Sequence, residues 1–84
     1  MALRRPVRII GELMNTSFAR ARRAWEARDP KAFAELAVVQ TGLGADFMTL
    51  YLGGTQSLTV TSEEMLAFLP VVVPAIQKAS PVPI

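Results

Sequence analysis

Val7-Arg8-Ile9-Ile10-Gly11-Glu12 and Phe47-Met48-Thr49-Leu50-Tyr51-Leu52 are the stretches whose reading decides the fold. Val7, Ile9 and Ile10 are β-branched and suit a buried strand. Gly11 ends the first run and lets other atoms approach the backbone closely, and Gly53-Gly54 follows the second run. A long helical stretch separates the two runs, and a second helical stretch follows. Pro81-Val82-Pro83-Ile84 then reads as the start of a third strand. The expected order is β-α-β-α-β with right-handed crossovers between parallel strands. That order is expected of the opening of a larger parallel α/β domain, stopped in mid-element.

Working outward from the first run, residues 13–16 are expected as a short loop, with Asn15, Thr16 and Ser17 as competent helix N-caps. Phe18, Ala21 and Trp25 share one apolar face at helical spacing and predict a short helix over 17–28. Asp29-Pro30 is a fresh N-cap with proline at the first helical position. Phe33, Leu36, Ala37 and Gln40 continue a stripe, predicting a second helix over 30–41. Thr41-Gly42-Leu43-Gly44 supplies its glycine-rich end.

Beyond the second run, residues 53–61 form a polar loop. Thr61-Ser62-Glu63-Glu64 has capping-box spacing. Met65, Leu69, Val72 and Ile76 predict the buried stripe of a last helix. Pro70 and Pro74 fall within it, each removing a backbone donor, and are expected to bend or restart it.

Eighty-four residues hold one small domain at most. Two β-α units cannot cover both faces of a parallel sheet, and a closed barrel of this type takes about 250 residues. The isolated chain is therefore expected to expose large apolar faces and to self-associate. A hydrophobic content of 51% argues against disorder. The net charge is +2, with Arg4, Arg5, Arg8, Arg20, Arg22, Arg23, Arg28 and Lys31 all in the first part of the chain. The basic face of the first helix is either a solvated surface, the commoner case, or a patch for phosphate or an acidic partner. No aromatic residues interleave with these arginines, so nucleic-acid binding is not expected. The sequence has no cysteine and no histidine, which removes disulfides, thiol nucleophiles, the usual general base and the commonest metal ligand. Met1-Ala2-Leu3-Arg4-Arg5-Pro6 leads into no secretory h-region. The apolar run over 65–76 is too short to span a bilayer. A cytoplasmic location away from membranes is the default expectation.

Parallel α/β folds bind ligands at strand carboxyl ends. Two loops occupy that position, one carrying Glu12, Met14, Asn15, Thr16 and Ser17, the other Tyr51, Gly53, Gly54, Thr55 and Gln56. Together they offer a carboxylate, amides, a phenol, hydroxyls and a glycine pair, which suits a polar heterocycle. They contain no nucleophile–base pair, so no catalytic residue is singled out. Gly53-Gly54 lacks the spacing of a dinucleotide or P-loop fingerprint. Glu12 and Asn15 either bond their own loop or meet a ligand. Tyr51 reads as packing or rim.

Ile9-Ile10-Gly11-Glu12-Leu13-Met14-Asn15 resembles the first strand and loop of the methyltetrahydrofolate:corrinoid methyltransferases, which share the pterin-binding (β/α)8 TIM-type barrel of dihydropteroate synthase. Ala24-Trp25-Glu26-Ala27-Arg28-Asp29-Pro30, with Glu35-Leu36-Ala37 and Gln40, is similar to the family's two-part first helix. Gly44-Ala45-Asp46 before the second strand and the Val-Pro-Ile ending also match. The resemblance covers nearly the whole chain but only the N-terminal portion of the family's barrel, an incomplete fragment over residues 1–84. It implies methyl transfer from methyltetrahydrofolate, as substrate, to the cobalt of a corrinoid (cobalamin) carried on a partner protein, by an enzyme that is a homodimer at full length. The fragment by itself is expected to be inactive.

The resemblance carries substrate binding over to Glu12 and Asn15, and Gly53 joins them as a candidate from the loop after the second strand. Where the family has Asp-x-Asn-x-Gly, this chain has Thr49-Leu50-Tyr51-Leu52-Gly53. The family's other pterin contacts belong to strand three and beyond. A dihydropteroate synthase-like reaction and a non-enzymatic assembly module are the alternatives.

Overall fold

β1 (Ile10–Asn15) and β2 (Phe47–Tyr51) pair in parallel as a two-stranded sheet in the computed structural model, which describes residues 8–54 and 58–84. The register joins Ile10 to Phe47, Gly11 to Met48, Met14 to Leu50 and Asn15 to Tyr51. Glu12 and Leu13 together stand opposite Thr49, which makes a β-bulge in β1. Along β2 the alternation is regular. Met48 is buried and Leu50 half-buried toward the helices, while Phe47, Thr49 and Tyr51 are exposed on the other face.

The first strand sits further along the chain than the span 7–12 expected for it, and residues 13–15 are strand rather than loop. Val7 lies outside the described residues. Two things carry the strand on: Met14 is fully buried against the helices, and the ladder continues past β1 where the Thr16 amide donates to Tyr51 O at 3.1 Å.

α1 (Ala19–Glu26) buries Ala21, Ala24 and Trp25. It is shorter than the span 17–28, and its N-cap is Phe18, with no side-chain cap. The three polar residues expected to cap it are spent or placed elsewhere: Asn15 Oδ1 accepts from the Ser17 amide, and Thr16 Oγ1 donates to Gly53 O. Phe18, half exposed, does not join the apolar face. Arg28, at φ +50°, turns the chain out of α1 in the left-handed region usually left to glycine. Asp29 then caps α2 (Pro30–Gly42) by accepting from the Lys31 and Ala32 amides, with Pro30 at its start. Phe33, Leu36, Ala37 and Gln40 are all buried, as their spacing requires. Gly44, at φ +90°, makes the turn beyond the Leu43 C-cap.

α3 (Ser62–Ala79) opens on the capping box formed by Thr61 and Glu64. Val72 and Ile76 are buried, Met65 and Leu69 half-buried. Phe68, absent from the expected stripe, completes it. Its ring meets Trp25 edge-on at 5.5 Å and Phe33 at 5.8 Å between centroids, which joins α1, α2 and α3 in one aromatic cluster. Pro70 and Pro74 lie inside one uninterrupted helix rather than restarting it. Both are exposed, half a turn away from the Phe68–Val72–Ile76 stripe. The carbonyls they leave without an amide donor, on Leu66 and Pro70, belong to exposed residues.

After α3 the chain docks on the free edge of β2. The buried Ser80 hydroxyl meets Thr41 Oγ1 at 2.6 Å, and the Met48 amide donates to Pro83 O at 2.8 Å. Residues 82–84 thus run beside β2 without forming a third strand, so the described elements are β-α-α-β-α: mixed α/β with a partial parallel sheet, its first crossover split into two helices. Among the described residues no helix is long and apolar enough to cross a membrane.

Candidate functional site

The carboxyl ends of β1 and β2 are fastened together. Thr16, 1% exposed, donates through its amide to Tyr51 O and through its hydroxyl to Gly53 O at 2.7 Å. This holds Asn15, Tyr51 and Gly53 in one place. The Asn15 side chain accepts from the Ser17 amide at 2.8 Å through Oδ1, an Asx turn that orients the amide plane. Its Nδ2 has no protein partner among the described residues and keeps two donors for a ligand. The Tyr51 ring lies over Gly53, where a Cβ would stand 2.4 Å from Tyr51 Oη and Cζ. A side chain at 53 would therefore have to push the exposed Tyr51 ring aside. The Tyr51 hydroxyl reaches toward Gly54 O at 3.5 Å, and the ring leaves 43% of its surface exposed.

Glu12 stands elsewhere. It is exposed in the bulge, three residues or roughly 10 Å along the strand from Asn15. It lines a cavity of ≈ 200 Å³ with Ile9, Gly11, Leu13, Gln40 and Leu43, beside the last turn of α2. Of the sequence-derived candidates, Asn15 and Gly53 come together and Glu12 does not join them. Met14 points into the core, Ser17 is exposed, and Thr55 and Gln56 lie outside the described residues. The fastening role of Thr16 had no signal in the sequence beyond its position, since its partner is a backbone carbonyl 37 residues away.

The basic face of α1 resolves into separate uses. Arg22 pairs with Glu26 at 3.1 Å, an i,i+4 pair readable from spacing. Arg28 stacks over the Trp25 ring at 3.7 Å and pairs with Glu64 at 2.6 Å. Arg20 and Arg23 share a cavity of ≈ 260 Å³ between α1 and α2 with the carboxylates of Asp29 and Glu35, so its lining carries both signs. The Glu64 carboxyl is held below the usual carboxylate range, first by the Thr61 amide, then by the Thr61 hydroxyl and the Arg28 charge. This cluster is a structural joint between the α1–α2 turn and the start of α3.

Chemically, the strand-end site offers amide donors from Asn15 and a phenol and an aromatic face from Tyr51, whose ring covers Gly53. It can bind and orient a polar ring, and among the described residues no acid or base is hydrogen-bonded to Asn15 or Tyr51. Comparison with protein-family models, curated proteins and solved structures finds no match to this chain.

Proposed function

We propose that the chain is the N-terminal portion of a pterin-binding (β/α)8 barrel whose reaction is methyl transfer from methyltetrahydrofolate to a corrinoid held by a partner protein. The observation that carries this reading is Asn15. It ends the Ile9-to-Asn15 run that resembles the family, stands at the strand carboxyl end, and has no partner on Nδ2 among the described residues. The exposed sheet face of Ile10, Phe47, Thr49 and Tyr51 adds support, because a closed barrel buries that face.

In this reaction the N5–methyl bond breaks with its electron pair left on nitrogen, so N5 must be protonated or polarised to leave. The share of this chain is to hold and orient the pterin through Asn15, beside the Tyr51 ring that covers Gly53.

The test is calorimetric titration of the 84-residue chain with methyltetrahydrofolate, wild type beside Asn15→Ala. Weak binding that drops about tenfold in the variant, with an unchanged melting curve, is expected for the loss of one ligand hydrogen bond. No binding by the wild type, or equal binding by both, sinks the reading. A dihydropteroate synthase-like reaction uses the same pocket and is separated by the product formed.

The exposed apolar sheet face also favours the assembly-module alternative, for which the chain sediments as a defined oligomer and ignores pterins.

A further inference from the structure

We infer that Gln40, on α2, is the positioning residue that decides which face of the sheet presents Asn15. It does so by holding open the β-bulge at Glu12 and Leu13. The inference deepens the pterin reading, on which the importance of that face rests.

Side chains alternate along a strand, so a shift of one residue exchanges its two faces. Gly11 pairs with Met48 and lies on the helix side of β1. Strict alternation from Gly11 would turn Leu13 and Asn15 toward the helices and Met14 outward. The extra residue of the bulge reverses this. Met14 becomes fully buried, and Asn15 comes out opposite Tyr51 on the open face.

A bulge leaves an amide without a ladder partner. Here the Leu13 amide donates instead to Gln40 Oε1 at 3.1 Å. Gln40 is 3% exposed, and its Nε2 is anchored on Leu36 O at 3.3 Å and Met48 Sδ at 3.5 Å. The space it fills is the space a side chain at position 11 would need. A Cβ on Gly11 would lie 2.2 Å from Gln40 Oε1 and 2.8 Å from its Cδ. Gly11 and Gln40 are thus one fitted pair: the missing side chain admits the amide, and the amide satisfies the bulge. This accounts for a polar residue in the otherwise apolar stripe of Phe33, Leu36 and Ala37.

The test replaces Gln40 with Met, which keeps the volume and removes the acceptor, in protein labelled at methionine methyls. A soluble paramagnetic chelate reports methyl exposure, and amide contacts report pairing. In Gln40→Met the Met14 methyl is expected to become accessible and the Asn15–Tyr51 contact to be lost, while the Met48 methyl stays protected. Leu36→Ala loosens the same core and should leave Met14 protected. A folded Gln40→Met with Met14 still protected and Asn15 still paired overturns the inference.

Gly11→Ala attacks the pair from the other side and should give the same slip. Hydrogen exchange on the wild type needs no variant. The Leu13 amide is expected to exchange as slowly as its ladder neighbours, and fast exchange there also overturns the inference. None of these readouts uses a pterin. Failure of the wild type to bind methyltetrahydrofolate therefore removes the functional reading and leaves the positioning role standing on its own result.

Discussion

The helix-side face of the sheet and its opposite face are built from alternate residues of the same two strands, yet they differ in finish. Toward the helices, Met14 and Met48 are buried, Gly11 is fitted around an amide, and every buried polar side chain has a hydrogen-bond partner among the described residues. On the other face, Ile10 keeps 57% of its surface in water, Phe47 45% and Tyr51 43%. Contiguous apolar surface of this kind marks a place of contact or a cover to come. The contrast teaches that packing here is specified by fit on one side and by composition alone on the other. Substitutions should sort the two faces accordingly.

The largest effect belongs to the covered side. Trp25→Ala removes the ring shared by the Phe68 edge contact and the Arg28 stack, and should cost about 3–5 kcal/mol in urea unfolding. A loss below about 1 kcal/mol would mean that the covered side is no better packed than the open one.

At the joint, Thr61→Ala should cost about 1 kcal/mol by removing the α3 cap. Arg28→Gly should be more stable than Arg28→Ala by about 1 kcal/mol, because both lose the guanidinium and only alanine keeps the left-handed strain. Equal stability of the two would place no strain at that residue.

Acid sharpens the same joint. Glu64 has a folded pKa below its ordinary value, so its contribution is complete above the ordinary glutamate range and is lost as pH falls from there through the lowered value. Urea midpoints taken down that window should fall more steeply for wild type than for Glu64→Gln, and parallel curves would count against the cap.

The smallest change in stability belongs to the open face. Phe47→Ser should shift unfolding by no more than about 0.5 kcal/mol while reducing self-association in sedimentation. A loss comparable to Trp25→Ala would erase the difference between the faces.

Much of this architecture could be read from residue types. Asp29-Pro30 and Thr61-x-x-Glu64 announce their helices because capping chemistry is local, and the α2 stripe is plain at a period of 3.6. Other features are decided by distant partners and leave no local mark. The bulge that extends β1 to Asn15 depends on Gln40, 27 residues away from Leu13, and no period-2 pattern announces it. Phe18 lies on the α1 stripe by spacing but falls at the N-cap, outside the packed turn. Pro70 and Pro74 read as a bend or a restart, and the helix does not restart at them because both lie on its exposed side, where a missing bond costs least. Strand-end placement of Asn15 and Gly53 followed from the β-α order. The separation of Glu12 from them did not, because it follows from the bulge.

The fastening of the strand ends has a consequence in time. The Ile9 amide reaches the Asp46 carboxylate and Thr16 reaches Gly53 across 37 residues in each case, while the hydroxyl pair of Thr41 and Ser80 spans 39. No hairpin can nucleate these parallel contacts, and closing a loop of that size costs about 3 kcal/mol in chain entropy before any ladder bond repays it. Helical order in α2 and α3 should therefore develop early in refolding, with strand register settled in the final, slower step. In a pulse-labelled exchange experiment, amides of those helices should gain protection ahead of Leu13 and Thr16.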